Sequence, residues 1–507
     1  MTKESTKAAF ALCVLGAAAA FIFKLQIPAV LFVGFACLLA WSYWAGVREA
    51  SSMSPVVMRL LGIPFTWEDI CAHIVIIGRS GCGKTVGALK SILIQLVKNV
   101  PNWGGVILDE KGDFHEMLAA IWLAQGKSDR LVILRVPLPD EAAKIDTPAV
   151  RVNLIGDKSI PWSTYAQLVI DVAVSQGQKT DNAFFKTQGR TILTKIFEAI
   201  DLAGHPVTLS TAYAFVANDD VFKVVLSSLA SLPITPHLIE VRNYWGNLDT
   251  TAPGQRDGIF GTAKNYLAPY AEPLIAEVFC AQNPNFDLKQ IDDCKLVVPS
   301  IPQLYLFSRS YVQAFIKLWF FFDTFRRYDL PNSRAAIPRL PRRGLIIDEA
   351  QNSLLGSEEG LADHKAIDKV RGAGAFLIYA MQSYSSAKPN IQDDSKVNTI
   401  FANIGTHIIH RINDAPGRKI ASEMFVLFDK KKITKSYGKA GDISVSETTE
   451  EKPTRRPDFF LTLKKFEAVI THVEGRTAHG IIAPVTDDGT RVESWYKSSS
   501  FHRDFNA

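Results

Sequence analysis

The sequence has little cysteine and no pattern that would put cysteine to use. Its 507 residues include six cysteines, none in a C-x-x-C pair, and ten dispersed histidines. This composition argues against a disulfide framework and against a zinc site, and it predicts a reducing compartment. The formal net charge of +5 is too mild to establish nucleic-acid binding by itself. The sequence contains no internal repeat and no long low-complexity region.

Long hydrophobic runs are confined to the first 50 residues. Residues 8–23 and 29–47 are two apolar stretches separated by Lys24–Pro28. About 20 apolar residues span a bilayer, so the pattern predicts a two-helix transmembrane hairpin. A signal peptide and a buried hydrophobic hairpin are the alternatives. Basic residues outside both runs (Lys3, Lys7, Arg48 and Arg59) place both ends in the cytoplasm.

The most informative motif is the eight-residue segment Gly78-Arg79-Ser80-Gly81-Cys82-Gly83-Lys84-Thr85. It follows the apolar run His73–Ile77 and precedes a helical pattern over Val86–Val100, which is the setting of a P-loop. Backbone N–H groups in such a loop surround phosphates, Lys84 reaches the β- and γ-phosphates, and Thr85 offers its hydroxyl to Mg²⁺. The segment predicts binding of ATP with Mg²⁺; the alternative is a glycine-rich turn without a ligand.

Acidic and amide residues follow other apolar strands. The strand Gly344–Ile347 ends at Asp348, a candidate Mg²⁺ ligand, and Glu349, a candidate general base for the attacking water. Gln382 follows the strand Ala375–Met381 and either contacts the γ-phosphate and water or caps a loop. Asp109, after another strand, either lines the site or caps the next turn. Open α/β sheets bind ligands at the carboxyl ends of parallel strands, so these residues are expected to meet there.

The P-loop and Asp348 are far apart in sequence, which predicts an insertion between them. From residue 159 to 271 the pattern changes to apolar residues at helical spacing. We expect an α/β nucleotide-binding domain formed by 51–158 and 272–507, interrupted by an all-α domain at 159–271. Residues 430–457, rich in Lys, Ser, Thr and Glu, predict an exposed hairpin or a mobile loop.

In this order, the features resemble those of the type IV secretion coupling proteins of conjugation, the TraD, TraG and TrwB class. The matching elements are the hairpin, the P-loop, the helical insertion, Asp348-Glu349 and Arg371 before Gln382. The resemblance implies a RecA-like P-loop NTPase core in a homo-hexamer, anchored as a multi-pass protein in the bacterial inner membrane with its catalytic body in the cytoplasm. It also implies DNA, relaxase or relaxosome proteins and secretion channel components as partners.

The resemblance also suggests roles for single residues. Gln382 would couple the γ-phosphate to motion, and Arg371 would reach a neighbouring subunit's nucleotide as an arginine finger. A phosphate or DNA contact in the pore, or a surface salt bridge, is the alternative for Arg371. Many relatives have a longer loop between the two spans and a long C-terminal tail, both short here, so substrate choice is expected in the helical insertion or in 430–457.

The function expected from the sequence is an ATP hydrolase that recruits relaxase-bound DNA and drives it into a type IV secretion channel. One alternative is a DNA translocase of the FtsK and HerA kind. The other is a membrane docking receptor for secreted proteins in which the nucleotide only stabilises the oligomer.

Overall fold

The computed structural model describes residues 55–144, 148–177, 183–249, 252–357, 360–425, 427–437 and 443–490. The predicted transmembrane hairpin, residues 1–50, lies outside them. No helix within the described ranges is long and apolar enough to cross a membrane. The chain divides into a small unit, residues 1–56 and 66–68, and a large unit that contains the remaining residues.

The large unit is built on a mixed β-sheet flanked by helices. The strands of the described residues are β1 (Met58–Leu60), β2 (Ile63–Phe65), β3 (Ile74–Ile77), β4 (Trp103–Asp109), β5 (Leu131–Arg135), β6 (Leu296–Ser300), β7 (Arg342–Asp348), β8 (Ala375–Met381), β9 (Thr406–Ile409), β10 (Leu427–Tyr437), β11 (Ile443–Pro453), β12 (Glu467–Thr471) and β13 (Thr477–Ile481).

Nine of these strands form the central sheet in the order β13-β12-β9-β3-β8-β7-β4-β6-β5. The strands from β9 to β5 are mutually parallel, whereas β12 is antiparallel to both β9 and β13. The residues of β3 are all buried and mostly β-branched, as a central parallel strand covered on both faces requires. The α/β class expected from the sequence is therefore observed, with β3, which leads into the P-loop, near the middle of the sheet.

Helices cover the sheet and fill the long connection between β5 and β6. The α-helices are Trp67–Cys71, Lys90–Asn99, Phe114–Ala124, Pro139–Ala142, Trp162–Ser175, Ala183–Leu202, Leu209–Ala217, Asp219–Ala230, Pro236–Asp249, Pro253–Leu267, Pro273–Phe279, Leu306–Phe325, Ser333–Ala336, Asp363–Gly372, Lys388–Ile391, Asp394–Ala402, Ala415–Glu423 and Phe459–Thr462. A π-helical turn, Lys84–Leu89, precedes Lys90–Asn99. Short 3₁₀ turns include Leu288–Asp293 and Ala350–Asn352.

The two ends of the helical segment between β5 and β6 lie side by side within the large unit. The N–H of Val152 donates to the carbonyl of Val278 at 2.7 Å, and the N–H of Ala281 donates to the carbonyl of Val152 at 3.1 Å. Between these points the described residues are helical apart from turns and the isolated bridge Asn153–Cys280. This closure is the geometry of an insertion. The boundaries 159 and 271 remain a prediction, because one continuous hydrophobic core joins these helices to the sheet.

Strands β10 and β11 form a separate antiparallel ribbon. Their register pairs Leu427 with Pro453 at one end and Tyr437 with Ile443 at the other. The sequence predicts either an exposed hairpin or a mobile loop for residues 430–457. The structure shows an antiparallel pair of strands, as in a hairpin.

Candidate active site at the carboxyl edge of the sheet

The predicted P-loop connects β3 to the helix that begins at Lys84. Gly81 and Gly83 have φ angles of +77° and +106°, in the left-handed region that favours glycine. These two turns fold the chain back so that it enters the helix immediately. The first N–H groups of a helix have no partner within it, so this end of the segment is suited to an anion.

The first two residues of the loop are anchored to the neighbouring strands. The N–H of Gly78 donates to the carbonyl of Met381 at 3.0 Å, and the N–H of Arg79 donates to that of Arg411 at 2.8 Å. The N–H of Cys82, whose side chain is buried, donates to the carbonyl of Arg79 at 3.3 Å. The N–H groups of Gly78 and Arg79 therefore hold the loop on the sheet. They are not available to a phosphate in this arrangement.

Lys84 is a buried cation that pairs only with carbonyl oxygens. Its ammonium donates to the carbonyl of Gly78 at 2.6 Å and to that of Arg79 at 3.4 Å. The residue is 4% exposed, and no carboxylate among the described residues lies within ion-pairing distance of it. Since a buried charge without a counter-ion is costly, Lys84 provides a place for an anion.

Thr85 and Asp348 are in direct contact although they belong to distant parts of the sequence. The Thr85 hydroxyl donates to Oδ2 of Asp348 at 3.0 Å. Asp348 is the last residue of β7, which lies one strand away from β3 across β8. The structure thus brings together the two residues predicted to bind Mg²⁺.

The electrostatic surroundings of Asp348 favour a cation. The carboxylate is 3% exposed, and burial raises its pKa. The charges of Glu349 and Asp109 also raise the pKa, and the hydrogen bond from Thr85 and the charge of Lys84 offset these effects only in part. Asp109 lies opposite Asp348 in the β4–β7 register. A divalent cation between Thr85 and Asp348 would relieve this crowding of like charge.

Asp109 itself caps the turn that follows β4. Its carboxylate accepts hydrogen bonds from the N–H groups of Lys111, Gly112 and Phe114 at 2.9, 2.7 and 2.9 Å. The sequence leaves two roles open for Asp109, lining the site or capping the next turn. The observed hydrogen bonds are those of the cap. Its charge still contributes to the field at Asp348.

Glu349 follows Asp348 in a left-handed conformation, with φ of +52°. Its Oε2 accepts hydrogen bonds from the side-chain amides of Gln351 at 2.6 Å and Gln382 at 3.2 Å. A non-glycine residue in this conformation is uncommon and often marks a functional site. The predicted general base therefore lies beside the predicted Mg²⁺ ligand, held by two amides.

Arg371 lies at the opposite edge of the sheet from the other predicted site residues. It is exposed in the last turn of Asp363–Gly372, just before β8, whereas Gln382 follows the end of β8. A strand of seven residues is about 23 Å long, so Arg371 does not reach the P-loop of its own chain. A role as an arginine finger would require a second subunit and remains a prediction.

Three functional candidates are absent from the sequence-based prediction. Gln351 contacts Glu349, and the only sequence signal for it is an amide two residues after the acid. Phe466, with φ of +66°, packs its ring over Gly83 and donates its N–H to the carbonyl of Cys82 at 2.7 Å. Arg309, 1% exposed, donates to Glu110 at 2.8 Å beside Asp109. Nothing local in the sequence pairs Phe466 with the P-loop or Arg309 with Glu110.

The residues present fit a magnesium–phosphate group. The buried Lys84 ammonium, which bonds only to carbonyl oxygens, lies near Asp348, whose carboxylate is crowded by Glu349, so the site suits an anion and a cation at adjacent positions. The Thr85 hydroxyl and an Asp carboxylate are oxygen ligands of the kind that Mg²⁺ prefers. The helix N-terminus at Lys84 supplies donors for the phosphate.

Comparison with known families supports the same assignment. The family model described as type IV secretory system conjugative DNA transfer matches residues 60–471. The chain belongs to this family. No curated protein matches the sequence.

Solved structures of this family share the fold of the chain. The unbound bacterial conjugative coupling protein TrwBdeltaN70 matches with a TM-score of 0.59 and 13% identity, over 86% of this chain and 91% of that one. The plasmid coupling protein TrwB in complex with ADP and Mg²⁺ matches with a TM-score of 0.57 and 13% identity, over 88% and 95%. TrwB with the non-hydrolysable analogue ADPNP matches with a TM-score of 0.58 and 13% identity, over 89% and 94%.

Proposed function

We propose that this member of the conjugative DNA transfer family is an ATP hydrolase that moves DNA into a type IV secretion channel. The observation that carries the proposal is the contact between Thr85 and Asp348, with Lys84 and Glu349 beside it. A glycine-rich turn without a ligand gives no reason for a buried lysine that bonds only to carbonyl oxygens next to crowded carboxylates. TrwB, which has the same fold, has been solved with ADP and Mg²⁺, with ADPNP and with the GTP analogue GDPNP, which supports a purine nucleoside triphosphate as the substrate; of these we propose ATP.

Different residues would bind the phosphates, hold Mg²⁺ and activate the water. Lys84 and the loop N–H groups from Ser80 onward would bind the phosphates, after the Lys84 ammonium leaves the carbonyls of Gly78 and Arg79. Thr85 and Asp348 would hold Mg²⁺. A magnesium ion held there would help to neutralise the negative charge that develops on the phosphates during hydrolysis.

Glu349 would accept the proton of the attacking water. Its Oε2 is occupied by the amides of Gln351 and Gln382, which leaves Oε1 for the water. Because Gln382 contacts Glu349 and is itself exposed, it could respond to the γ-phosphate and report its loss. Arg371 would complete the site of a neighbouring subunit in a homo-hexamer.

The cellular setting of the proposal comes from the family. The hairpin 1–50 would anchor the chain in the bacterial inner membrane, with the catalytic body in the cytoplasm. Relaxase or relaxosome proteins would deliver the DNA, and components of the secretion channel would receive it. The helical segment and the β10–β11 ribbon are the regions proposed to select the substrate.

The test is ATP hydrolysis by the full-length chain, with and without single- and double-stranded DNA, at low and physiological salt. We expect DNA to stimulate hydrolysis and the stimulation to fade as salt rises, because contacts to phosphates release counter-ions. Lys84→Ala should abolish the activity. Hydrolysis that ignores DNA, or nucleotide binding without hydrolysis, would contradict the translocase and favour the docking receptor.

A further inference from the structure

Two amides hold the proposed base, and they differ in how firmly they are fixed. Gln351 reaches Oε2 of Glu349 from the 3₁₀ turn Ala350–Asn352, at 2.6 Å and with 6% of its surface exposed. Gln382 reaches the same oxygen from the end of β8, at 3.2 Å, and its side chain is exposed. Gln351 therefore makes the shorter and more buried contact, although no sequence motif assigns it a role.

The backbone around Gln351 is fixed from two sides. The N–H of Asn352 donates to the carbonyl of Glu349 at 3.0 Å, which closes the turn. The side-chain amide of Asn390 donates to the carbonyl of Gln351 at 2.7 Å. Glu349 itself is held in the left-handed conformation at the start of this turn. A turn closed in this way allows the Gln351 side chain little freedom.

The orientation of the Gln351 amide is set by the charge of Glu349. Rotating the amide by half a turn would place its carbonyl oxygen against a carboxylate oxygen, which repels it. In the observed orientation Oε1 of Gln351 is buried and has no hydrogen-bond partner among the described residues. Leaving a buried acceptor unpaired is unfavourable, and such groups in native proteins call for an explanation. The hydrogen bond from Gln351 to Glu349 is therefore kept although it leaves Oε1 of Gln351 without a partner.

We propose that Gln351 is a positioning residue for Glu349 in the hydrolysis reaction, which rests on the proposed function. By fixing Oε2, Gln351 orients the carboxylate so that Oε1, which accepts no hydrogen bond from the described residues, faces the water. In the reaction the water oxygen bonds to the γ-phosphorus, the bond from that phosphorus to the bridging oxygen breaks, and the water proton passes to Oε1. ADP leaves with the electrons of the broken bond. Small misplacements of such a group cost rate and leave substrate affinity unchanged.

The kinetic test compares three variants of the full-length chain. Gln351→Ala should lower kcat about 10- to 100-fold, as for other residues that orient a catalytic group, with KM for ATP changed less than about twofold. Gln382→Ala should lower kcat less, because its contact is longer and exposed. Asn352→Ala is the matched control, since Asn352 is exposed in the same turn, and its kcat should equal that of the wild type.

A fourth variant distinguishes positioning from simple support of the fold. Gln351→Glu places a second carboxylate against Glu349, and two carboxylates that share a site raise one pKa strongly. The acidic limb of the pH–kcat profile should therefore move to higher pH than in the wild type. A loss of folding alone would lower the amount of active enzyme and leave the shape of that profile unchanged.

The contact itself can be tested without hydrolysis. Thermal unfolding of the nucleotide-free chain should show non-additive midpoint shifts in Gln351→Ala, Glu349→Ala and the double variant. The double variant should lose less than the sum of the single losses, because either change alone removes the shared hydrogen bond. Additive shifts would mean that the two side chains do not interact and would overturn the inference.

Two kinetic outcomes would also overturn it. If kcat of Gln351→Ala equals that of Asn352→Ala, Gln351 does not position the base. If hydrolysis without DNA rises in Gln351→Ala, the amide restrains Glu349 and does not orient it for reaction. A wild-type chain that binds a non-hydrolysable ATP analogue but does not hydrolyse ATP would refute the proposed function, while the thermal cycle would still report on the pair.

Discussion

The two edges of the central sheet both carry buried charge, and they arrange it in opposite ways. β7 links them, because Arg343 lies near its amino end and Asp348 at its carboxyl end. At the amino edge, each carboxylate is paired with at least one guanidinium. At the carboxyl edge, carboxylates gather beside one another and the nearby lysine pairs only with carbonyl groups.

The amino edge is a closed network of ion pairs. The guanidinium of Arg343 lies 2.6 Å from Oδ2 of Asp292 and 2.9 Å from Oδ2 of Asp323, and that of Arg327 lies 2.6 Å from Oδ1 of Asp292. Burial alone would raise the pKa of Asp292, but the hydrogen bonds and charges of Arg343 and Arg327 leave it lowered. Such a network stabilises the fold and offers no charge for a ligand to neutralise.

At the carboxyl edge the pKa of Asp348 shifts in the opposite direction, because burial and its acidic neighbours raise it. A buried carboxylate with a perturbed pKa in a cleft, near a lysine without a carboxylate partner, is typical of functional sites. The comparison teaches that buried charge alone does not identify a site. The pairing of the carboxylates does: those of the amino edge each have a guanidinium partner, although burial and the charge of Arg343 lower the pKa of Arg327 to about 10, whereas Asp348 and Glu349 have no cationic partner within ion-pairing distance among the described residues.

The largest expected effect is at the amino edge. Arg343→Ala leaves Asp323 with Arg326 and Asp292 with Arg327 as the remaining partners, and should lower the free energy of unfolding by about 3 kcal/mol. We place the loss at the low end for buried pairs because the Asp292 side chain is 40% exposed. Denaturant unfolding measures it, with the exposed Arg339→Ala as control. Equal, small losses in both variants would break the contrast between the two edges.

At the carboxyl edge the P-loop glycines provide a matched pair. Gly81→Ala and Gly83→Ala both force a side chain into the left-handed region, at about 1 kcal/mol. At Gly83 the new methyl would also collide with the ring of Phe466, whereas nothing lies within 4 Å at Gly81. Gly83→Ala should therefore cost about 2 to 3 kcal/mol in total. Denaturant unfolding of the two variants side by side tests this, and equal losses would show that Phe466 does not constrain the loop.

Much of this edge follows from the sequence, and the reasons are physical. An apolar strand, glycines and Lys84-Thr85 specify a local phosphate loop, and the rule that parallel strands present ligands at their carboxyl ends predicts the Thr85–Asp348 contact. The Phe466 contact depends on how two antiparallel strands are added beside β9, which no local pattern encodes. Gln351 is missed because an amide two residues after an acid is common and its orientation depends on the turn.

Asp348→Asn and Asp292→Asn should change stability in opposite directions. Removing the crowded charge of Asp348 should stabilise the nucleotide-free chain, since its pKa is raised in the folded state. The asparagine can still accept from the N–H of Glu349 and donate to the Thr85 hydroxyl. Asp292→Asn should destabilise the chain, because it removes a carboxylate whose pKa is lowered. Unfolding free energies at pH 7.5 measure both, and losses in both variants would mean that Asp348 is as well compensated as Asp292.

The smallest effect is the pH dependence of the Asp348→Asn gain. A carboxylate with a raised folded pKa destabilises the folded chain at pH values above that pKa, and the penalty disappears as pH falls towards the ordinary aspartate pKa of 3.8. The gain of Asp348→Asn over the wild type should therefore be full at pH 7.5 and smaller near pH 4.5. Unfolding curves at the two pH values test the sign, and a gain that grows on acidification would contradict a raised pKa.

The central claim is that the incompletely compensated edge binds a magnesium nucleotide. Its most direct test is the thermal unfolding midpoint of the full-length chain with Mg²⁺ and a non-hydrolysable ATP analogue, compared with Lys84→Ala. A ligand that binds only the folded state raises the midpoint as its concentration exceeds Kd. We predict a rise in the wild type that depends on Mg²⁺ and is absent in Lys84→Ala. No rise in the wild type, or the same rise in both chains, would contradict the account.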